Sequence, residues 1–164
     1  PARNRNALRP AERRCGPHPR AGPSGPPARG RRRCARRSGI FKDDPQLKTA
    51  NFDPKKYTLY IRWESWSPKS MMSISAANII FREMASKLNV IGVYSHWNEG
   101  IAEIKKARIT FPLIFDQRMQ FDQIFTQKTL PYFVLLDPNQ VVIWQSESIE
   151  QKGLEQLIFN YERR

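Results

Sequence analysis

Apolar positions between residues 57 and 161 follow two periods that alternate along the chain. Residues 57 to 63 form an apolar, aromatic and β-branched run that predicts a buried strand, and this run breaks at Ser67-Pro68. Beyond the break the apolar residues recur at helical spacing and predict one wide helix face. The predicted face consists of Met72, Ala76, Ile80, Met84 and Leu88, with Ala77, Phe81 and Ala85 alongside.

The rest of the chain continues this alternation. A continuous apolar run at 90 to 94 predicts a strand buried on both faces, as in a parallel sheet. We then predict a short amphipathic helix over 99 to 108, a brief apolar stretch over 111 to 115 and a short helix over 119 to 125. Strands over 132 to 136 and 141 to 144 are joined by Asp137-Pro138-Asn139-Gln140, which favours a hairpin. A helix over 151 to 161 follows, with Leu154, Leu157, Ile158 and Tyr161 on its apolar side.

This order of elements predicts the fold class and the place of the site. Strand, helix, strand and helix, followed by a hairpin and a final helix, indicate an α/β domain. Its central mixed sheet should have about four to five strands, flanked by helices on both faces, with parallel crossovers first and an antiparallel edge last. Ligand chemistry in such folds collects at the carboxyl ends of the parallel strands, where residues 67 to 70 lie.

Charge divides the chain at residue 38. The total is +13, but residues 1 to 38 hold twelve Arg and only one acid, so they carry +11 and the other 126 residues carry +2. The segment also holds seven of the 13 prolines and few large apolar side chains, and we predict a disordered tail at 1–38 and one globular domain at 39–164. Three interpretations of the tail remain open: a non-native flank, an organelle transit peptide, or a basic arm that binds nucleic acid or an acidic surface.

The two cysteines lie outside the predicted domain, which therefore has no thiol for metal binding or redox chemistry. Cys15 and Cys34 both lie in the tail, and with His18 they supply one ligand too few for a closed zinc site. Residues 35 to 164 contain no cysteine, so we predict no metal and no cofactor. No apolar run approaches the roughly 20 residues that a membrane-spanning helix needs.

Three ordered motifs carry a resemblance to a known family. The segment Trp63-Glu-Ser-Trp-Ser-Pro-Lys-Ser70 is similar to the Trp-x-x-Trp-Cys-Pro-x-Cys of the thioredoxin superfamily, the segment 90 to 95 followed by Phe111-Pro112 resembles its second strand and its Phe-Pro, and Thr129-Leu-Pro-Tyr resembles its cis-proline strand. The resemblance covers about residues 55 to 162. It is closest to the thiol-disulfide oxidoreductases of bacterial envelopes and cytochrome c maturation, the redoxin type represented by TlpA-like and ResA-like proteins.

The resemblance implies a site and also a loss of its chemistry. Ser67 and Ser70 occupy the positions of the two catalytic cysteines, and Pro131 that of the cis-proline. A thiol at a helix N-terminus has a lowered pKa and attacks disulfides as the thiolate, whereas a serine hydroxyl does not ionise usefully and forms no disulfide. We therefore expect no thiol-disulfide exchange from this sequence. Two origins of the serines remain open, replacement by mutagenesis and a naturally redox-inactive relative.

The sequence departs from the family pattern in two further ways, in addition to the serines. The buried carboxylate that family members often place six residues before the first cysteine corresponds here to Ile61, and Glu64, the nearest acid, should face away from Trp63 and Ser65. The opening β-hairpin of the family is also absent. This absence suggests that residues 39 to 164 are the C-terminal domain of a longer extracytoplasmic protein, and the resemblance suggests the bacterial periplasm or cell envelope.

Simple structural explanations exist for several of these residues. Ser67 followed by Pro68 is a favoured helix start, with serine as the N-cap. Trp63 is expected in the core and Trp66 partly exposed beside the loop, where an aromatic side chain supports peptide binding. Lys69 is either a solvated lysine or a remnant of substrate steering. His96 is expected to be an ordinary loop histidine, and Met71, Met72 and Met84 core packing.

The sequence therefore supports a main hypothesis and two alternatives. The main one is a redox-inactive domain of the thiol-disulfide oxidoreductase lineage, whose partners are proteins or peptides with thiols or disulfides and a redox partner protein. The first alternative is a non-catalytic module that binds extended peptides without covalent chemistry, and the second is nucleic-acid association through the tail. The predicted binding surface consists of Trp66, Ser67, Pro68, Lys69, Leu130 and Pro131.

Overall fold

The computed structural model describes residue 41, residues 51–95, residue 102 and residues 104–125 and 129–163. The strands are β1 (Tyr57–Arg62), β2 (Leu88–Tyr94), β3 (Leu113–Phe115), β4 (Tyr132–Leu136) and β5 (Val142–Ser146). The helices with complete bounds are α1 (Pro68–Glu83), α2 (Gln120–Ile124) and α3 (Gln151–Glu162), and residues 104–107 are also helical. Each of these elements except β3 lies where the apolar pattern predicts one, since the pattern indicates only a brief apolar stretch over residues 111 to 115.

The sheet has the strand order β3-β2-β1-β4-β5. β1 pairs with β2 and β2 with β3 in parallel, while β4 is antiparallel to both β1 and β5. The predicted α/β class, with parallel crossovers first and an antiparallel hairpin at the edge, is therefore confirmed. β1 and β2 lie inside the sheet, which agrees with their nearly continuous burial.

The side chains of β1 alternate between two apolar clusters. Tyr57, Leu59, Ile61 and Trp63 face the cluster formed with α1 and α3, which contribute among others Ile74, Ala77, Ile80, Leu154 and Ile158. Tyr60 faces the opposite cluster, which includes Phe121 of α2 and the neighbouring Phe125. Helices thus cover both faces of the sheet as predicted, and the apolar side predicted for the final helix is confirmed.

The predicted face of α1 is partly wrong. Its buried residues are Ser70, Ile74, Ala77 and Ile80, and Met84 follows in the core. Met72 is 81% exposed and Ala76 is half-buried, while Leu88 belongs to β2. Two residues that are four positions apart differ by about 40° around the helix axis. The series from Met72 to Met84 therefore does not stay on one face of the helix. The expected core packing is therefore confirmed for Met84 and, as a partly buried residue against the core, for Met71. It is wrong for Met72.

Several predictions concern residues outside those described. They are the disordered tail at 1–38 with its metal and nucleic-acid interpretations, the boundary at residue 39, and the loop with His96. None of the described helices is long and apolar enough to cross a membrane. In the same residues no three His, Cys, Asp or Glu side chains are grouped so that they could hold a metal ion.

Candidate functional site

The turn between β1 and α1 is built around two serine hydroxyls. Ser67 is the N-cap of α1, with extended backbone, and its side chain accepts a hydrogen bond from the Ser70 N–H at 3.3 Å, while Pro68 is the first helical residue. Ser70 is fully buried, and its Oγ accepts from the Glu64 N–H at 3.5 Å. The Ser67 N–H in turn donates to the Glu64 carbonyl at 3.2 Å. These bonds hold residues 64 to 70 as one compact turn, and the predicted N-cap is confirmed.

The outer side of this turn is apolar and basic. Trp66 is 56% exposed, and Pro68 and Lys69 are exposed beside it, whereas Trp63 is buried. The first-turn N–H groups of a helix carry partial positive charge, and Lys69 adds a full one. The surface at this helix start therefore offers an aromatic face, backbone donors and a cation.

The second part of the predicted surface begins β4. The peptide bond between Leu130 and Pro131 is cis, and Pro131 is buried while Leu130 is half-buried. Tyr132, the next residue, lies opposite Arg62, the last residue of β1. The sheet register thus brings Pro131 to the edge from which the turn at 63 to 67 leaves. We call Trp66, Ser67, Pro68, Lys69, Leu130 and Pro131 the candidate groove, in which Ser67 and Pro131 are buried and the other four residues are exposed or half-buried.

A buried ionic network lies on the other face of β1, at the same edge of the sheet. The Arg62 guanidinium donates through Nη1 to the Glu64 carboxylate at 2.6 Å and to the Trp63 carbonyl at 2.9 Å. Its Nε and Nη2 donate to the two carboxylate oxygens of Asp122 at 2.9 and 3.0 Å, and Nη2 also to Ser95 Oγ at 2.9 Å. The network joins β1, the end of β2 and α2.

Glu64 connects this network to the turn that carries the serines. Its Oε1 accepts from the Ser95 N–H at 2.8 Å and from the Ser95 hydroxyl at 2.7 Å, in addition to Arg62. Burial alone would raise the pKa of the Glu64 carboxyl, but the hydrogen bonds from Ser95 and Arg62 outweigh it and hold that pKa below its ordinary value. Glu64 is therefore an anion at neutral pH, and its backbone groups hold Ser67 and Ser70.

Several solved structures have a similar chain path. A putative thiol:disulfide interchange protein DsbE from Chlorobium tepidum is 23% identical, with a TM-score of 0.55 over 65% of this chain and 80% of that one. StoA from Bacillus subtilis is 16% identical, with a TM-score of 0.57 over 65% and 84%. A DsbF homologue from Corynebacterium diphtheriae is 16% identical, with a TM-score of 0.57 over 70% and 75%. No protein-family model and no curated protein sequence matches the chain.

The chain has the thioredoxin fold. The fold implied by the three sequence motifs is thereby confirmed.

In this thioredoxin fold, position 61 differs from the family pattern, which often has a buried carboxylate there. Ile61, six residues before Ser67, is buried in the cluster with α1 and α3 and carries no charge. The buried acid near the turn is instead Glu64, which lies on the opposite face of the strand with Arg62. The expectation that Glu64 faces away from Trp63 agrees with this arrangement.

Sequence analysis did not identify Arg62, Ser95 or Asp122 as parts of the site. A signal was present for Arg62, because a charge inside a strand buried on both faces requires a partner, and Glu64 two residues later shares its face. Asp122 is 60 residues away in a short helix, which begins where the Asp116 carboxylate accepts from the N–H groups of Gln120 and Phe121 at 2.9 and 2.8 Å. Nothing in the local sequence pairs Asp122 with Arg62.

The hydroxyls of Ser67 and Ser70 lack the partners that a hydrolytic nucleophile requires. Among the described residues both hydroxyl oxygens accept hydrogen bonds from backbone N–H groups of this turn, and neither is hydrogen-bonded to a basic side chain. A serine nucleophile needs an adjacent base that is itself oriented by a third group. The two serines therefore act here as helix-start residues.

Proposed function

We propose that this thioredoxin-fold domain derives from the thiol-disulfide oxidoreductases, performs no thiol-disulfide exchange as its sequence stands, and binds extended polypeptide segments at the candidate groove. The observation that carries the proposal is the place of Ser67 and Ser70 at the N-cap and in the first turn of α1. A disulfide oxidoreductase needs a thiolate there, and serine supplies neither the charge nor the sulfur. What this end of the fold retains is a surface for binding.

The chemistry of the groove supports an extended peptide as its ligand. Trp66 offers a large aromatic face at little cost in side-chain entropy, and Lys69 attracts acidic side chains or a carboxylate. The β4 start at Leu130 and Pro131 lies at the same edge of the sheet, where we expect an extended partner to pair with the backbone. Protein substrates of the ancestral reaction and non-covalent peptide ligands would use the same surface.

The absence of exchange activity is tested by restoring the thiols. In a Cys15→Ser, Cys34→Ser background, the Ser67→Cys, Ser70→Cys double variant should reduce a fluorescent disulfide substrate with turnover and show a defined midpoint against a dithiothreitol or glutathione series. Ser67→Cys alone, which forms no internal disulfide, and Ser75→Cys, on the exposed side of the same helix, are the controls. A folded double variant without turnover would mean that the residues supporting the exchange chemistry have also been lost, which leaves only the binding function, and turnover by the serine-containing parent contradicts the proposed inactivity.

The binding function is tested separately on the serine-containing chain. Titration calorimetry with a permanently unfolded, thiol-blocked polypeptide should give measurable affinity, and Trp66→Ala and Pro131→Ala should each weaken it about tenfold. Phe159→Ala is the matched control, because Phe159 is similarly exposed but lies on α3. Equal affinities for the parent and the groove variants would contradict binding at the groove.

A further inference from the structure

Helix α1 carries a second apolar stripe that faces outward. Met72 is 81% exposed and Ile79 is 41% exposed, and half-buried Ala76 lies between them at spacings of four and three residues. Lys69 precedes this line and Glu83 ends it, and all five positions fall within an arc of about 80° around the helix. We call Lys69, Met72, Ala76, Ile79 and Glu83 the outer stripe. Neither the core nor the candidate groove uses its apolar members.

The charges at the two ends of the stripe are reversed with respect to the helix dipole. The N-terminal end of a helix favours anions and the C-terminal end favours cations. α1 has no acidic residue in its first turn but carries Lys69 there, and its last residue is Glu83. Arg82 beside Glu83 is favourably placed and pairs with it at 2.9 Å, but both side chains are largely exposed, so this ion pair contributes little.

The outer stripe is nearly symmetric about Ala76. With a rise of 1.5 Å per residue, Lys69 lies about 10.5 Å before Ala76 along the axis and Glu83 about 10.5 Å after it. Met72 and Ile79 lie about 6 Å before and about 4.5 Å after. An identical helix that runs in the opposite direction would therefore place its Ile79 near Met72 and its Glu83 near Lys69. The small side chain of Ala76 at the centre allows the two backbones to approach closely.

We propose that the outer stripe is an isologous interface between two copies of this chain, packed with their α1 helices antiparallel around a two-fold axis near Ala76. In this arrangement Lys69 lies next to Glu83 and the negative helix end of the partner copy. Each of the two charges, unfavourably placed in its own helix, then has an opposite charge beside it. Self-complementarity of this kind favours a second copy over an unrelated partner. The stripe is small compared with standard interfaces, so we expect a weak, concentration-dependent dimer.

Sedimentation velocity and light scattering of the full chain over a concentration series test the dimer, in a Cys15→Ser, Cys34→Ser background that excludes disulfide-linked dimers. We expect a monomer-dimer equilibrium whose dissociation constant rises about tenfold or more with Met72→Glu. Because Met72 is largely exposed, this variant should keep the circular dichroism spectrum of the parent. Phe159→Glu, an exposed apolar residue on α3, is the matched control and should leave the dissociation constant unchanged. A chain that stays monomeric at every concentration, or a dimer that Met72→Glu does not weaken, overturns the proposal.

A charge exchange tests the antiparallel arrangement. Lys69→Glu and Glu83→Lys should each weaken the dimer severalfold, because each places like charges opposite one another at both ends. The double variant Lys69→Glu, Glu83→Lys should restore the parent dissociation constant within about twofold. Failure of the double variant to recover affinity overturns the antiparallel pairing. These measurements use neither peptide nor thiol, so their outcome is separate from that of the proposed function.

Discussion

The Arg62 guanidinium makes five hydrogen bonds, which equals its number of N–H donors. A buried charge is unfavourable unless it is paired and its donors are satisfied, and here Glu64 and Asp122 supply both conditions. Burial alone would lower the pKa of Arg62, but the hydrogen bonds to Asp122 and Glu64 raise it, so the side chain stays charged. Removal of one anion should therefore destabilise the domain more than the replacement of an exposed pair would.

The first prediction concerns Glu64→Gln. It should lower the free energy of unfolding at pH 7 by about 2 kcal/mol, because Arg62 loses a buried anionic partner. The pKa of Glu64 is depressed in the folded state, so its contribution is present above the unfolded value of about 4.3 and is lost as the pH falls through the lower folded value. Denaturant unfolding from pH 7 down to pH 3 should show the difference between parent and variant shrinking in that acidic window.

Asp122→Asn provides the comparison for Glu64→Gln. The Asp122 side chain is 27% exposed, against 2% for that of Glu64, so water screens its interaction with Arg62. We expect a smaller loss, about 1 kcal/mol at pH 7. If Glu64→Gln changed the unfolding free energy no more than Asp122→Asn, or by the same amount at every pH, the buried ion pair would not stabilise this turn.

At the scale of elements, α1 shows why periodicity alone does not choose a helix face. Apolar residues surround most of this helix, and the sheet buries the side with Ile74, Ala77 and Ile80. The outer stripe also contains apolar residues, Met72, Ala76 and Ile79, but lies outside the core. Its exposure follows from the direction in which the Ser67–Pro68 turn starts the helix, and that turn depends on contacts with Glu64.

Packing between β2 and its neighbours gives a prediction at Gly92. A Cβ at this position would lie 2.5 Å from Leu113 Cδ2, 2.9 Å from Phe111 Cε2 and 3.0 Å from Trp63 Nε1. All three side chains belong to or border the packed core, so Gly92→Ala should lower the free energy of unfolding by about 1 to 3 kcal/mol. Thermal or denaturant unfolding of the variant measures this loss.

Gly153→Ala is the matched control for Gly92→Ala. Gly153 lies in α3, and a Cβ there would meet nothing within 4 Å. Alanine also restricts the unfolded chain and favours helix, so this variant should gain about 0.5 to 1 kcal/mol. A stable Gly92→Ala protein would show that Leu113 and Phe111 move aside easily and that β2 does not require the glycine.

At the scale of the whole molecule, the sheet brings together segments that are distant in sequence. Parallel pairing of β1 with β2 places Ser95 beside Glu64, and antiparallel pairing with β4 places Pro131 beside the same turn. The candidate groove and the Arg62 network therefore share one edge of the sheet but lie against different elements.

The distribution of charge is a second property of the whole chain. Residues 1 to 38 carry +11 of the total +13, so the strong basicity does not belong to the thioredoxin-fold domain. The groove contributes one cation, Lys69, which suits a single acidic group of a peptide and not a phosphate backbone, since nucleic-acid binding generally requires several basic contacts. Nucleic-acid association through the tail therefore stays a prediction from the sequence.

The sequence by itself determined the elements other than β3, their order and the fold class. Strands, helix starts and the hairpin turn depend on local periodicity, on Ser67-Pro68 and on Asp137-Pro138, and these signals act between neighbouring residues. Tertiary structure alone decided which face of α1 is buried and which partners Arg62 has, because both depend on strand register and on contacts across 33 and 60 residues. The serines at positions 67 and 70 were readable from the sequence, and their bonds to Glu64 are local, whereas the bonds of Glu64 to Ser95 span 31 residues and exist only in the folded sheet.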